Sequence, residues 1–246
     1  MKNVIKVLLI LTIAYSFSRK IDMKKVSIYN VYKLSKPMKI DGIWDKPQWK
    51  NIKAIDINNY MGEIPKYRPT AQAKMKYDND NLYIIFRVRR DYYVSCLTQT
   101  LNGPVWEDAA VEFFFSPDSS LPQDYFNIEI NCGGTPLMGY NSSSKRKSIL
   151  LDTNDIRKII IAHSLPHKID SEIVGPLTWT VECKIPLSVL ECCSEVTRPK
   201  SNVVWRANFY QIASSGSNPH YITWSFVDNI KPNFHLPEFF GKLRFQ

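Results

Sequence analysis

The sequence predicts an all-β chain folded as an antiparallel two-sheet β-sandwich. Three observations carry that prediction. Short segments that alternate apolar and polar side chains recur along most of the chain. Aromatic residues make up 13% of the 246 residues, while Gly is low at 9 and Pro high at 15, a mixture that favours strands over helices. No apolar pattern of helical period runs to a normal helix length after residue 18, and no internal repeat or linker interrupts the chain. A hydrophobic content of 44% is ample for one packed core.

Residues 1–18 read as an export signal. Lys2 and Lys6 give a positive start, Val7–Phe17 an apolar core, and Ala14-Tyr15-Ser16 or Ser16-Phe17-Ser18 a small-residue cleavage site. The apolar run is shorter than the roughly 20 residues that a membrane span needs. The expectation is an exported protein with no membrane attachment after cleavage, residues 19–36 forming an arm and residues 37–246 the sandwich. The cysteines at 96, 132, 183, 192 and 193 then meet an oxidising compartment, and their odd number leaves at least one thiol unpaired or bonded to another molecule. The formal charge is +9, but the one tight basic run, Lys145-Arg146-Lys147, has the character of a solvated loop tip, so no nucleic-acid partner is expected.

Taken in order, Lys24–Leu34 is an edge strand or arm. The Asp41-Gly42 turn follows, and Trp44 and Trp49 bracket a helical turn that plugs one end of the core. Thr70–Asp78 and Leu82–Arg90 form a hairpin, with Ala71, Ala73, Met75 and Tyr77 facing Leu82, Ile84, Phe86 and Val88. Its turn, Asp78-Asn79-Asp80-Asn81, offers the oxygen ligands of a Ca²⁺ site, although such turns also arise for backbone reasons alone. In Val105–Phe115, Val111, Phe113 and Phe115 point to one face while Ala110, Glu112 and Phe114 point to the other. Asp124–Asn131 sends Phe126, Ile128 and Ile130 inward and leaves Asn127, Glu129 and Asn131 in a row outward. Further strands are Ile159–His163, Trp179–Ile185 with Cys183 in the core, Val203–Ala213, Tyr221–Val227 and Phe239–Phe245, with Pro186–Leu190 a short helical turn.

If the two strands bearing Glu112 and Glu129 pair, their polar side chains share one sheet face with Trp106 at its rim. Amides and carboxylates supply fixed acceptors and donors for hydroxyls, and an aromatic face suits the C–H face of a sugar ring. A solvated sheet face reads the same way.

At this point the chain resembles carbohydrate-binding module family 9. The matching pieces run in order from Ile40-Asp41-Gly42 and Trp49 through Tyr77–Tyr83, Trp106-Glu107-Asp108 with Val111–Phe114, Trp179 to Pro186, and Trp205–Tyr210. They end in Trp224-Ser225 and Phe234–Leu243. The resemblance implies a sandwich of jelly-roll or DOMON type, often with structural Ca²⁺. It implies an oligosaccharide or polysaccharide ligand clamped between Trp106 and Trp224, with polar contacts from Glu112, Asn127, Glu129 and Asn131. It also implies a place in carbohydrate catabolism beside separate glycoside hydrolases. The chain departs from the family at Glu129, where some relatives carry arginine, and in placing Asp108 one position early.

Two other readings remain open on the residues. Glu112 and Glu129 are candidates for the acid pair of a glycoside hydrolase. A haem-binding relative would draw axial ligands from His163, His167, His220 or His235.

Overall fold

The computed structural model describes residues 26–118, 123–143 and 147–246. The signal pattern at 1–18, the start of the arm and most of the Lys145–Lys147 run lie outside the described residues.

The strands in chain order are β1 (Ile28–Lys33), β2 (Ile55–Ile57), β3 (Asn59–Met61), β4 (Thr70–Tyr77), β5 (Asn81–Asp91) and β6 (Val94–Cys96). They continue as β7 (Ala110–Ser116), β8 (Tyr125–Asn131), β9 (Pro136–Ser142), β10 (Lys147–Leu150) and β11 (Ile160–His163). The last are β12 (Ile169–Ile173), β13 (Leu177–Pro186), β14 (Val204–Ala213), β15 (His220–Thr223) and β16 (Gly241–Phe245). The described α-helical pieces are single turns: α1 (Pro47–Lys50), α2 (Thr153–Ile156) and α3 (Leu187–Glu191). None is long and apolar enough to cross a membrane.

One continuous hydrogen-bonded path runs β10-β9-β8-β7-β14-β16-β1-β4-β5-β13-β11, with β15 and β3 alongside β14 and β2 alongside β4. It folds on itself into two faces packed as a sandwich. The bend is at β1, whose residues Ile28–Val31 pair with β16 while Tyr32 and Lys33 pair with β4. Both β1 pairings are parallel, so the sheet is mixed, which corrects the expectation of a purely antiparallel sandwich. Nor is this stretch an arm or an edge: it sits mid-path, where two parallel neighbours let one strand pass from the first sheet to the second.

Between the sheets lies the main core. Val111, Phe113 and Phe115 of β7 and Phe126, Ile128 and Ile130 of β8 meet Ala73, Met75, Ile84, Phe86, Trp179 and Val181. Phe113 stacks on Phe209 with centroids 4.7 Å apart, and Phe209 reaches Phe86 across the sandwich at 6.1 Å. Cys183 is buried here, and all five cysteines are free thiols.

Each sheet also buries part of its outer face. On the second sheet, α1 and the residues just before it lay Trp49 and Trp44 over Tyr83 and Ile85, so these tryptophans cover an outer face rather than plug an end of the core. On the first, the 228–240 segment lays Phe234 and Phe240 over Ala110, Phe114, Tyr125, Tyr210 and Ile212.

Candidate functional site

The outer face of the first sheet carries a cavity of about 430 Å³. Its floor follows from strand register. Glu112 lies opposite Glu129 and Tyr210, Phe114 opposite Asn127, and Gly139 opposite Asn127 on the next strand. Directly opposed residues in antiparallel strands share a face, so alternation brings Glu112, Asn127, Glu129, Leu137, Gly139 and Asn141 to one surface.

Trp106 forms the rim. It stands in a single 3₁₀ turn, Val105–Glu107, that leads into β7, and its side chain is 39% exposed. The turn is held from both sides. Its backbone carbonyls at Trp106 and Glu107 accept from Ser214 N and Ser215 N at 3.2 Å each. The Asp108 carboxylate, one residue on, accepts from Leu97 N at 2.8 Å and Thr98 N at 3.0 Å. A large aromatic on an anchored turn is a pre-organised platform.

A second part of the wall is Tyr221, Phe234 and His235. Phe234 stacks on Tyr210 with centroids 4.1 Å apart, and its carbonyl accepts the Tyr210 hydroxyl at 3.1 Å. His235 Nδ1 pairs with the Tyr125 hydroxyl at 2.9 Å, and burial lowers the pKa of this imidazole.

The floor holds a directed chain of hydrogen bonds. Ser148 Oγ donates to Asn141 Oδ1 at 2.8 Å, Asn141 Nδ2 to Asn127 Oδ1 at 2.9 Å, and Asn127 Nδ2 to Glu129 Oε1 at 2.9 Å. The chain stops there. Glu129 Oε2 is buried with no partner, and the neighbouring Glu112 is only 2% exposed. Burial pushes Glu112 well above the usual carboxylate range, and the charge of Glu129 adds to the rise. Burial lifts Glu129 to about 7 against the opposing Asn127 hydrogen bond. The face expected to meet water is thus a closed floor of two acids.

Of the residues expected from the sequence, Trp106, Glu112, Asn127 and Glu129 converge on this cavity. Trp224 and Asn131 do not. Trp224 lines a separate cavity with Tyr29, Tyr32 and Asn59. It follows Ile222 on the core-facing side of β15 and packs edge-on against Phe209 at 5.7 Å, while Tyr221 takes the cavity side. Alternation along the strand therefore separates the two tryptophans expected to clamp one ligand. Asn131 is consumed structurally. Its Nδ2 donates to Thr98 O at 2.8 Å and Asp108 Oδ2 at 2.9 Å, and its Oδ1 accepts from Thr135 N at 2.8 Å. It braces the turn that carries Trp106.

Tyr221, Phe234, Asn102 and Asn141 are cavity residues that the sequence reading missed. Asn102 carried a signal of its own kind: an Asn-Gly pair, here with Asn102 at φ +60, where a positive φ favours asparagine.

The Asp78 turn does not fit a calcium ion. The Asp78 carboxylate accepts from Asp80 N, Asn81 N, Asn81 Nδ2 and the Tyr83 hydroxyl, and Asp80 pairs with Arg198 at 3.3 Å. Among the described residues no group of three or more His, Cys, Asp or Glu is placed to hold a metal. The histidines are engaged with backbone carbonyls: His163 with Leu165 O, His167 with Gly133 O, and His220 with Asn218 O.

The model of carbohydrate-binding family 9 matches residues 41–245, and the chain belongs to that family. Among solved structures it is similar to a Bacteroides uniformis protein provisionally named as carbohydrate-binding, with TM-score 0.81 and 24% identity over 90% of this chain and 100% of that one. It is also similar to a family 9 carbohydrate-binding module from Caldicellulosiruptor kristjanssonii in complex with cellotriose, with TM-score 0.59 and 17% identity over 89% of this chain and 94% of that one. The same organism's family 9 module in complex with glucose gives TM-score 0.57 and 18% identity over 89% and 96%. No curated protein matches the chain.

Proposed function

We propose that the protein binds a sugar, without catalysis, in the cavity between Trp106 and the Tyr221–Phe234 wall. The observation that carries this reading is the pairing of an exposed, anchored tryptophan with a buried polar floor in one cavity of about 430 Å³. Ligand cavities run from about 300 Å³ upward, and such a volume suits one or two sugar rings. The ring's C–H face would lie on Trp106, and hydroxyls would meet Glu112, Glu129 and Asn141. Cellotriose and glucose, bound by family 9 relatives, make gluco-configured sugars the first panel to try. In this reading the second aromatic face comes from Tyr221 or Phe234, and Trp224 is a packing residue.

A single stacked ring with a few hydrogen bonds implies an affinity on the order of 10 μM to 1 mM. Calorimetric titration with mono- and oligosaccharides, for wild type and Trp106→Ala, tests it. Loss of binding in the variant supports the site; binding that survives the change, or no binding to any sugar, removes it.

The paired carboxyls favour a second reading, glycoside hydrolysis, because retaining enzymes set one protonated and one ionised carboxyl about 5–5.5 Å apart. Hydrolysis of aryl glycosides that disappears in Glu112→Gln would establish it. The pattern of residues 1–18 supports export and a role beside separate glycan-degrading enzymes; mass spectrometry of the native N-terminus would reveal cleavage.

A further inference from the structure

Given that the cavity binds a sugar, we propose that it selects an amino sugar, whose ammonium group sits between Glu112 and Glu129, over the matching neutral sugar.

Two strand carboxyls placed directly opposite each other on one face repel when both are ionised. Nothing among the described residues neutralises this pair. Among the described residues no lysine or arginine lines the cavity. The one amide donor that reaches the pair, Asn127 Nδ2, is spent on Glu129 Oε1. Glu129 Oε2 is buried without a partner in a residue only 4% exposed. Buried polar atoms are nearly always paired, so an orphaned one in a cavity marks where a ligand donor belongs.

The other titratable groups facing the pair do not fill that role. Tyr210 on β14 and Tyr125 on β8 have their phenols pushed up by burial, with neighbouring carboxylates adding to it, and stay neutral. The Tyr210 hydroxyl donates to Phe234 O, and the Tyr125 hydroxyl pairs with His235 Nδ1. Tyr221 on β15 belongs to the wall, and His235 is held neutral by burial.

A neutral sugar hydroxyl can donate one hydrogen to one of these oxygens but brings no charge to offset that of the acids. An ammonium group brings three donors and a compensating charge to the same point. The walls agree with this choice. Trp106, Phe234 and Tyr221 present aromatic faces around the acids, and such faces attract cations.

Burial raises both acids toward the protonated form, so an ammonium group that binds between them displaces protons. Binding of an amino sugar therefore strengthens as pH rises from about 5 toward 7. It weakens again once the amine loses its own proton, near the pKa of about 7.7–8.0 of a comparable α-amino group.

The test is calorimetry on the purified protein at pH 6.5 with glucose, glucosamine and N-acetylglucosamine, and with the galactose and mannose counterparts. At least one hexosamine is expected to bind tenfold or more tightly than both its neutral partners, with proton release in buffers of different ionisation enthalpy. Glu129→Gln should erase that preference by lowering hexosamine affinity far more than neutral-sugar affinity, and Trp106→Ala should weaken both alike. A neutral or N-acetylated sugar that binds as well as its hexosamine overturns the inference and leaves the sugar-binding reading intact. If no sugar of either class binds, that reading fails and the inference with it. The wild-type comparison decides the matter even if the variants do not fold.

Discussion

The outer faces of the two sheets hold buried glutamates in opposite states. Glu182, on β13, is fully buried and fully partnered. It accepts from Asp41 N at 2.9 Å, Gly42 N at 2.8 Å and Trp49 Nε1 at 2.8 Å, and pairs with Lys46 Nζ at 2.7 Å. The segment over that face is shaped around this one acid, because Gly42 at φ +75 turns two successive N–H groups onto its carboxylate. Glu112 and Glu129 are as deeply placed, yet the segment over them brings aromatic rings and a neutral imidazole. A buried acid whose partners come from its own chain is part of the fold. A buried acid with an oxygen left over, as Glu129 has, is in the proposed reading where a ligand donor belongs.

Removing the satisfied acid should do the most damage. Glu182→Ala strands the Trp49 indole N–H and two backbone donors and takes from Lys46 its buried partner, leaving it Asp41 and Lys39 O, and breaking a buried pair in this way costs about 3–5 kcal/mol. Chemical denaturation should show that loss, with sugar affinity of the folded protein unchanged. If Glu129→Ala costs the fold more than Glu182→Ala does, the contrast between the faces is wrong.

The two tryptophans extend the same comparison. Trp224 packs on Phe209, and a Cβ on Gly241 would come within 2.7 Å of its ring, so the indole sits against bare backbone. Trp224→Ala should cost about 3 kcal/mol of stability, the low end for a packed aromatic, and little affinity. Trp106→Ala should reverse the pattern. Its stability should stay within about 0.5 kcal/mol, while ligand affinity falls roughly tenfold to a hundredfold as about 1.5–3 kcal/mol of ring contact is lost. Parallel melts and titrations of both variants separate the cases.

Acidity gives a third test. Glu129 titrates near 4.5 when unfolded and about 7 when folded. The folded state therefore keeps a proton that the unfolded state has lost, and stability falls as pH rises from about 4.5 to 7. Glu129→Gln should flatten that decline, measured as melting temperature against pH. An unchanged slope would show that the pair is not desolvated as its burial implies.

Much of this is legible in the sequence because alternation is a strict geometric rule. The inward set of Val111, Phe113 and Phe115 and the outward row of Asn127, Glu129 and Asn131 lie where the period places them. Alternation assigns a face, not a depth. Glu112 and Glu129 read as solvated from their own strands, and part of what surrounds them, Pro232–His235, comes from far along the chain. Asn131 shares the row, yet a turn more than twenty residues earlier in the chain consumes it. Trp224 reads as a platform from its residue type and from the resemblance, although Ile222, two residues before it, marks the core side. The parallel pairing of β1 has no local signal, because it joins residues from the two ends of the described chain.

The smallest expected effect probes the floor without touching either acid. Gly139 lies opposite Asn127, and a Cβ there would stand 2.7 Å from Asn127 Oδ1. Gly139→Ala must therefore turn the Asn127 amide, which breaks its bonds to Asn141 and Glu129. Losing two side-chain hydrogen bonds on a buried floor should cost about 1–2 kcal/mol of stability. It should also weaken sugar binding a few-fold, because Glu129 would no longer be held toward the cavity. A variant that loses stability but binds unchanged would make the Ser148–Asn141–Asn127 chain a feature of the fold alone. Glu129 would then belong with Glu182, and the distinction between the two faces would rest on Glu112 alone.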